Sequence, residues 1–362
     1  MNQTLSDIEQ ELLFSDDISE IPPPDIIAYN ELRSCADLFR MYKQGILEIH
    51  PEFQREIVWN PPAQTRFIDS LIKQLPIPSM CFSLDFKRQK WQVIDGLQRI
   101  FTIIKFLSLE DWSLSKLTDI DSRISGKHLD EFADENSELH DLYIRVENLT
   151  LPITVIRCDY GKKSHSEYLF TIFHRLNSGG VKLNNQEIRN CIYSGNFNHL
   201  INELNEYPNW MKLNRMHEVG GSRFAKQEII LRLFCFFERF EKYGGRLASF
   251  LNDYMNENRN LNKDEIKRKK ELFERTVDVV FEKIFEQNPP KLTITVLESL
   301  LVGISLNLQY VTNQNHQKLN MYYEQLISHE EFSEVKLLEG LSGKQRVIGR
   351  LKASKEIFAG RL

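Results

Sequence analysis

The sequence predicts an α+β fold, in which a small mixed sheet with helices is followed by a mostly α-helical C-terminal region. Short apolar runs alternate with amphipathic stretches between residues 30 and 107, and one further β-rich run occupies residues 151–156. From His165 onward, apolar residues recur almost continuously at helical spacing. A chain of 362 residues with 41% hydrophobic content can bury a large core, and we expect two domains.

The first elements follow from local signals. Helical spacing predicts a helix from Asn30 to Tyr42 that ends at Gly45, and a short strand follows at Ile46 to Ile49. A turn before Pro61 starts an amphipathic helix, which Pro76 ends.

Two strands and a helix complete this alternating region. Met80 to Phe86 and Lys90 to Ile94 have strand composition and are joined by a charged hairpin. The apolar pattern then changes to helical spacing from Arg99 to about Leu107. We therefore expect a small sheet with helices packed on it.

The remainder of the chain contains one more predicted strand and many helices. Residues 108–150 are polar and irregular, which predicts an insertion or a peripheral subdomain. Leu151 to Ile156 is a predicted strand, and Pro152 indicates an edge or a strand start. Long periodic stretches at residues 264–285 and 293–310 predict helices.

Charge distribution sets apart an acidic leader. Residues 1–32 contain eight Asp and Glu but no Lys or Arg, whereas the whole chain has a net charge of -5. We expect residues 1–29 to be a flexible leader, residues 30–160 to form the α+β domain, and residues 161–362 to form the helical domain. The mildly basic remainder neither requires nor excludes a nucleic-acid partner.

Composition also indicates the compartment. The five cysteines are widely scattered without a CxxC pair, which predicts reduced, mostly buried thiols. No apolar run is long enough to cross a membrane, and the N-terminus lacks the features of a signal peptide. We expect a cytoplasmic protein with no membrane partner.

The stretch Asp95-Gly96-Leu97-Gln98-Arg99 lies where a predicted strand passes into a helix. Asp95 could hold a divalent ion, Gly96 would allow close approach of a ligand to the backbone, and Gln98 and Arg99 could bind a phosphate. In the alternative interpretation, Asp95 caps the helix and Arg99 makes a surface ion pair. The five residues alone slightly favour this alternative.

Two further segments carry similar chemistry. Gln54 and Arg55 follow the first predicted strand, although Arg55 could simply pair with a neighbouring glutamate. Arg175 and Asn177 precede Gly179 and Gly180, whose backbone could form an anion-binding nest. A plain helix-turn-helix connector would use the same glycines.

A capping-box spacing follows this segment. Asn184 and Glu187 are three residues apart, which predicts that a helix begins there.

Together, three motifs in this order carry a family resemblance. They are Pro51-x-Phe-Gln-Arg55, Val93-Ile-Asp-Gly-Leu-Gln-Arg99, and Phe173-x-Arg-Leu-Asn-Ser-Gly-Gly180 with Glu187-Ile-Arg-Asn190. They resemble the N-terminal domain of GmrSD modification-dependent restriction endonucleases over roughly residues 30–240. The resemblance implies a ParB/sulfiredoxin-like core followed by helices, and nucleotide binding and hydrolysis through an Asp-Gly-Gln-Gln-Arg motif.

The resemblance assigns roles to residues of this chain. It implies that Asp95, Gln98 and Arg99 are catalytic, with Mg²⁺ held by Asp95. The nucleotide or anion would contact the remaining motif residues, namely Gln54, Arg55, Gly96, Arg175, Asn177, Gly179 and Gly180. The chain departs from the family at Leu97, where the motif has Gln, and it shows no His-Me-finger nuclease motif before Leu362.

The leading hypothesis is therefore a nucleotide-binding regulatory or sensor protein of a bacterial restriction or anti-phage system. NTP hydrolysis would be a further activity of the same site, and DNA cleavage would need a separate nuclease subunit. The alternative hypothesis is a non-enzymatic DNA-binding module that senses modified DNA.

Overall fold

The computed structural model describes residues 22–49, 59–176, 184–213, 225–338 and 340–361. The fold class expected from the sequence is confirmed, because a five-stranded mixed sheet with helices is followed by a helical region. The chain divides into two compact units, one of residues 20–182 and one that contains residues 183–362. No helix of the described segments is long and apolar enough to cross a membrane.

The first unit contains all the described strands of the sheet, and five α-helices lie in its described part. The strands are β1 (Ile27–Ser34), β2 (Leu47–Glu48), β3 (Met80–Asp85), β4 (Lys90–Asp95) and β5 (Thr150–Cys158). The α-helices in its described part are α1 (Cys35–Lys43), α2 (Pro61–Ile72), α3 (Leu97–Leu107), α4 (Glu138–Asn148) and α5 (Lys163–Leu176).

The sheet has the strand order β1-β5-β3-β4-β2. β1 pairs antiparallel with β5, and β3 pairs parallel with β5 and antiparallel with β4. β2 runs parallel to β4, with Leu47 opposite Trp91. As a result, β2 and β4 both run toward the end of the sheet where Asp95 lies.

The core lies between one face of the sheet and helices α1 to α4. Alternate residues of the strands point into it, for example Ile153 and Val155 of β5 and Phe82 of β3. The opposite face of β4 is covered by α5, and there Tyr160 donates a hydrogen bond from its hydroxyl to Oε1 of Gln92 at 2.7 Å.

The segment between α3 and α4 is part of this core, so of the two expectations for residues 108–150 the peripheral subdomain is wrong. Trp112, Ile124 and Phe132 are buried in the same cluster as the sheet residues. Phe106 of α3 packs edge-on against Phe132, with 5.4 Å between ring centroids. These apolar residues are separated by polar ones in the sequence, and for this reason they form no periodic pattern.

The start of the unit also differs from the sequence prediction. Residues 30–34 belong to β1 and not to a helix, and the strand begins at Ile27, inside the segment expected to be leader. Ser34 caps α1 by accepting a hydrogen bond from the N–H of Asp37 at 3.1 Å. Pairing with β5, far away in sequence, overrides the local helical spacing.

Pro152 lies in an interior strand, which corrects the expected edge position. On one side of β5 it is opposite Leu32 of β1, whereas pairing with β3 begins only at Ile153. The proline therefore lies before the β3 ladder begins and does not interrupt it.

The second unit is helical throughout its described residues. Its α-helices are α6 (Asn185–Ile192), α7 (Asn196–Asn205), α8 (Pro208–Leu213), α9 (Ala225–Arg239), α10 (Leu247–Asn258), α11 (Lys263–Asp278), α12 (Ile294–Leu306), α13 (Leu308–Thr312), α14 (His316–Ser328), α15 (Glu334–Leu338) and α16 (Lys344–Phe358). A π-helical segment, Val279–Ile284, continues α11. The boundary between the units falls after residue 182, later than the expected boundary at residue 160, because α5 packs on β4.

Candidate functional site

The motif Asp95 to Arg99 lies at the expected transition from strand to helix. Asp95 is the last residue of β4, and α3 begins at Leu97. Gly96 joins them with φ of +96° and ψ of 16°, a left-handed conformation that L-amino acids with a side chain rarely adopt. The chain can therefore turn directly from strand into helix within one residue.

Contact with β3 gives a second reason for glycine at this position. A Cβ on Gly96 would lie 2.6 Å from Cγ of Met80, and Met80 is buried. Both the backbone conformation and the neighbouring side chain thus exclude larger residues here.

Asp95 and Arg99 form an ion pair along the first turn of α3. Nη2 of Arg99 donates to Oδ2 of Asp95 at 2.8 Å, and Nη1 donates to the carbonyl oxygen of Pro78 at 2.6 Å. The Arg99 side chain is only 15% exposed, whereas that of Asp95 is 36% exposed. The guanidinium is therefore fixed between two acceptors at the end of the sheet.

The interpretation of Asp95 as a helix cap is wrong. No side chain of the described residues caps α3, and the motif carboxylate binds Arg99 instead. The first N–H groups of any α-helix lack intrahelical acceptors. In this helix the N–H groups of Leu97, Gln98 and Arg99 have no side-chain acceptor among the residues that the structure describes.

Gln98 connects the motif to the start of α2. Its Oε1 accepts a hydrogen bond from the backbone N–H of Trp59 at 3.3 Å. Trp59 also packs edge-on against Phe67 of α2, with 5.4 Å between ring centroids. Gln98 thus fixes the described end of the segment that leads into α2.

Leu97, the departure from the family motif, packs against the hydrophobic core of the unit. An apolar side chain is consistent with this environment, since burial of a side-chain amide without partners would be unfavourable.

Cys81 lies opposite Asp95 in the pairing of β3 with β4. Burial raises the pKa of its thiol to about 12, and the nearby negative charge of Asp95 adds to this shift. The thiol therefore stays protonated and is a poor nucleophile. All five cysteines are free and buried, as the sequence predicted.

Several predicted site residues cannot be placed. Gln54, Arg55, Asn177, Gly179 and Gly180 lie outside the described residues. The described residues that flank Gln54 and Arg55 nevertheless lie near the motif. β2 runs parallel to β4 toward the end that carries Asp95, and Trp59 binds Gln98.

Arg175 is exposed near the C-terminal end of α5. That helix begins near the β3–β4 hairpin, because Nδ1 of His165 accepts a hydrogen bond from the N–H of Asp159 at 3.0 Å, and the carboxylate of Asp159 pairs with Lys87 of the hairpin at 2.7 Å. It then packs against β4.

Asp95 is the single predicted metal ligand. No group of three or more His, Cys, Asp or Glu residues that could hold a metal ion occurs within the described segments. Mg²⁺, however, is commonly bound by one or two carboxylates together with phosphate oxygens and water. Asp95 is partly exposed, and its Oδ1 has no hydrogen-bond partner among the described residues. This oxygen could therefore bind a Mg²⁺ ion whose other ligands are phosphate oxygens and water.

The sequence did not indicate three residues that shape the site. Pro78 supplies the carbonyl that binds Arg99, Met80 makes glycine necessary at position 96, and Trp59 binds Gln98. Pro78 and Trp59 contribute only a backbone atom to these contacts, and a backbone atom leaves no signature in the pattern of side chains. The Pro76-x-Pro78 sequence before β3 was a detectable signal that this segment is extended.

The last part of the family pattern, Glu187 to Asn190, is structural. Asn184 and Glu187 form the capping box that the sequence predicted at the start of α6. Arg189 is fully buried, and its Nη1 donates to Oε2 of Glu228 in α9 at 2.7 Å.

Arg189 belongs to a buried charge cluster that comprises Arg189, Glu228, Arg232 and Glu298. Nη2 of Arg232 donates to Oε1 of Glu228 at 2.6 Å, and Nη1 donates to Oε2 of Glu298 at 3.0 Å. Burial alone would raise the pKa of Glu228, but the charges of Arg232 and Arg189 hold it below its ordinary value. The cluster is therefore ionised and internally paired.

Comparison with known families identifies the part of the chain that carries the motif. Residues 35–194 match the family described as GmrSD restriction endonuclease, N-terminal domain. The matched segment contains the Asp95 motif, and the resemblance inferred from the motifs is confirmed over these residues. No curated protein and no solved structure matches the chain. Residues 35–194 are thus similar to the N-terminal domain of GmrSD restriction endonucleases.

Proposed function

We propose that this protein binds a nucleotide whose phosphates lie at the N-terminus of α3 and against Arg99. Through this site it would act as a regulatory or sensor component of a restriction or anti-phage system. One observation carries the proposal: an uncapped helix N-terminus and a fixed guanidinium occur together at one end of the sheet. The family match supports a role in restriction.

The local chemistry favours an anionic ligand. The unpaired N–H groups and the dipole of a helix N-terminus attract phosphate oxygens. A guanidinium has five N–H groups, and Arg99 uses two of them in its bonds to Asp95 and Pro78. The other three can donate to a ligand without breaking the contacts that orient the side chain.

Chain geometry supports the participation of Gln54 and Arg55. Arg55 and Trp59 are four residue steps apart, and a chain of that length spans at most about 14 Å. Because Trp59 binds Gln98, we expect a ligand at the motif to lie within reach of Arg55. A second guanidinium there would add to the neutralisation of the phosphates.

The third motif approaches from α5. A helix of 14 residues is about 21 Å long, close to the length of about 20 Å expected for the six residues of β4. A helix that starts near the hairpin and packs on β4 would bring Arg175 toward the end that carries Asp95. Asn177, Gly179 and Gly180 follow directly and would contribute backbone N–H groups.

Asp95 would hold Mg²⁺ together with the phosphates, and the metal would supply positive charge that neutralises them. Hydrolysis is a separate part of the proposal, in which Asp95 would orient a water molecule and Gln98 the ligand. Phosphate release by the full-length protein tests that part alone.

The binding proposal is tested by calorimetric titration of the full-length protein with each NTP in the presence of Mg²⁺. We expect Arg99→Ala to weaken binding by about 10- to 100-fold, since hydrogen bonds from a charged donor contribute about 1.5–3 kcal/mol. The matched control is Arg123→Ala, which removes an equal charge from an exposed pair with Asp121. It should leave the affinity unchanged.

Two results would contradict the proposal. One is the absence of binding of every NTP, and the other is equal affinity of Arg99→Ala and the unaltered protein. If the protein instead binds duplex DNA with a steep dependence on salt and no effect of nucleotide, the function as a DNA sensor replaces it.

A further inference from the structure

β1 is an exposed edge of the sheet with an unusual number of exposed apolar side chains. The strand order places β1 outermost, next to β5 alone. Its residues Ile27, Tyr29 and Leu32 are 50%, 37% and 70% exposed. Edge strands of this length in soluble proteins are usually protected by Lys, Pro or a bulge. β1 contains none of these, and its pairing with β5 is regular.

The two charged side chains of β1 do not protect the edge either. Nε of Arg33 donates to Oε1 of Glu31 at 2.5 Å, and Nη1 donates to Oδ2 of Asp37 in α1 at 2.6 Å, so both charges of the strand are paired within this unit. We infer that β1 is an interaction surface that pairs antiparallel with β1 of a second copy of this chain.

Symmetry restricts the register of such a pair. A two-fold axis perpendicular to the sheet relates antiparallel strands and keeps equivalent faces of the two sheets on the same side. In an antiparallel pair, directly opposed residues point to the same face of the sheet. One residue must therefore lie opposite its own copy, with the two-fold axis between them. Only a few registers satisfy this condition.

Charge decides between the registers with the longest overlap. An axis at Glu31 pairs residues 28–34 but places Glu31 opposite its own copy, which is unfavourable. An axis at Asn30 pairs residues 27–33 and places Leu32 opposite Ala28 of the second copy, twice. On the other face, Tyr29 lies opposite Glu31, whose carboxylate is bound by Arg33. The register centred on Asn30 is therefore favoured.

A neighbouring groove gives Leu32 room to pack. Asn30, Leu32, Pro152 and Thr154 line a surface depression of about 540 Å³, and Oγ1 of Thr154 donates to Oδ1 of Asn30 at 2.8 Å. This face is the one on which Ala28 and Leu32 of the two copies would meet. A single pair of strands is a small interface, so we expect reversible association with Kd on the order of 10 μM.

Cysteine cross-linking of the full-length protein tests the register. All five native cysteines are buried, so a cross-link under mild oxidation reports the introduced thiol. Asn30→Cys should give a covalent dimer, because each new thiol lies opposite its copy. Ala28→Cys, on the same face of the same strand, should stay monomeric because its copies are four residue positions apart. Equal cross-linking of the two variants, or none of Asn30→Cys, would overturn the register.

Sedimentation without cross-linking tests the association itself. The mass of the unaltered protein should increase with concentration toward that of a dimer, and Leu32→Lys should shift it back to the monomer. Val335→Lys is the control, since Val335 is 67% exposed in the helical unit. A monomeric mass at every concentration, or dimers that Leu32→Lys leaves unchanged, would refute pairing through β1. The expected partner of this edge strand would then be a different protein.

Discussion

The Asp95–Arg99 pair and the Arg189–Glu228–Arg232–Glu298 cluster consist of the same side-chain types, but their surroundings differ. In the first pair, the carboxylate is partly exposed and the guanidinium keeps N–H groups available. In the cluster, every member is buried and the charges are paired with one another. The family match to residues 35–194 includes Arg99 and Arg189 alike. The comparison indicates that solvent access, and not residue type, separates a candidate binding site from a structural charge network.

The largest effect on stability is expected from the buried cluster. Glu228→Ala should lower the free energy of unfolding by about 3–5 kcal/mol, because it leaves two buried guanidinium groups without their shared partner. Urea denaturation of the full-length protein measures this loss. The control Glu271→Ala removes a carboxylate from an exposed pair with Lys267 and should cost under about 1 kcal/mol.

A Glu228→Ala protein that fails to fold would leave no curve to analyse, and Glu228→Gln then serves as the second variant. It keeps an acceptor oxygen but removes the charge, so a smaller loss of stability is expected. If neither variant is less stable than the Glu271→Ala control, the cluster does not have the structural role that the comparison assigns to it.

An intermediate effect is expected at the turn that forms the candidate site. Gly96→Ala should lower the free energy of unfolding by about 2–4 kcal/mol, since it combines a left-handed backbone with overlap against Met80. Gly45→Ala is a matched control, because Gly45 has φ of +65° and a Cβ added there would have no neighbouring atom within 4 Å. At Gly45 only the backbone cost of about 1 kcal/mol remains. Equal losses would show that Met80 does not constrain the turn.

The sequence was sufficient to locate the motif but not to separate these two roles. The change from alternating to helical spacing around Asp95 is local, and the expected strand and helix are confirmed. The buried cluster was not foreseen. Glu228 and Arg232 are four residues apart, a spacing equally typical of a solvated helix surface, and their partners are distant in sequence.

Distance along the chain also explains the error at β1. Leu32 and Cys35 satisfy helical spacing locally, whereas the strand exists because it pairs with β5 more than a hundred residues later. The contacts that complete the site are similarly hidden, since Pro78 and Trp59 contribute backbone atoms. Periodicity identifies which face of an element is apolar, but it contains no information on which backbone group accepts from a given arginine.

The smallest effect on stability is expected at Arg99, and it tests the comparison most directly. Because the Arg99 pair is partly exposed, Arg99→Ala should lower the free energy of unfolding by under about 1 kcal/mol in the absence of nucleotide. Asp95 can then be solvated by water, which the buried partners of Glu228 cannot. Urea denaturation with and without NTP measures both effects: the same concentration of nucleotide should stabilise the unaltered protein more than Arg99→Ala. A loss as large as that of Glu228→Ala would mean that Arg99 is a structural residue, and the distinction between the two clusters would not hold.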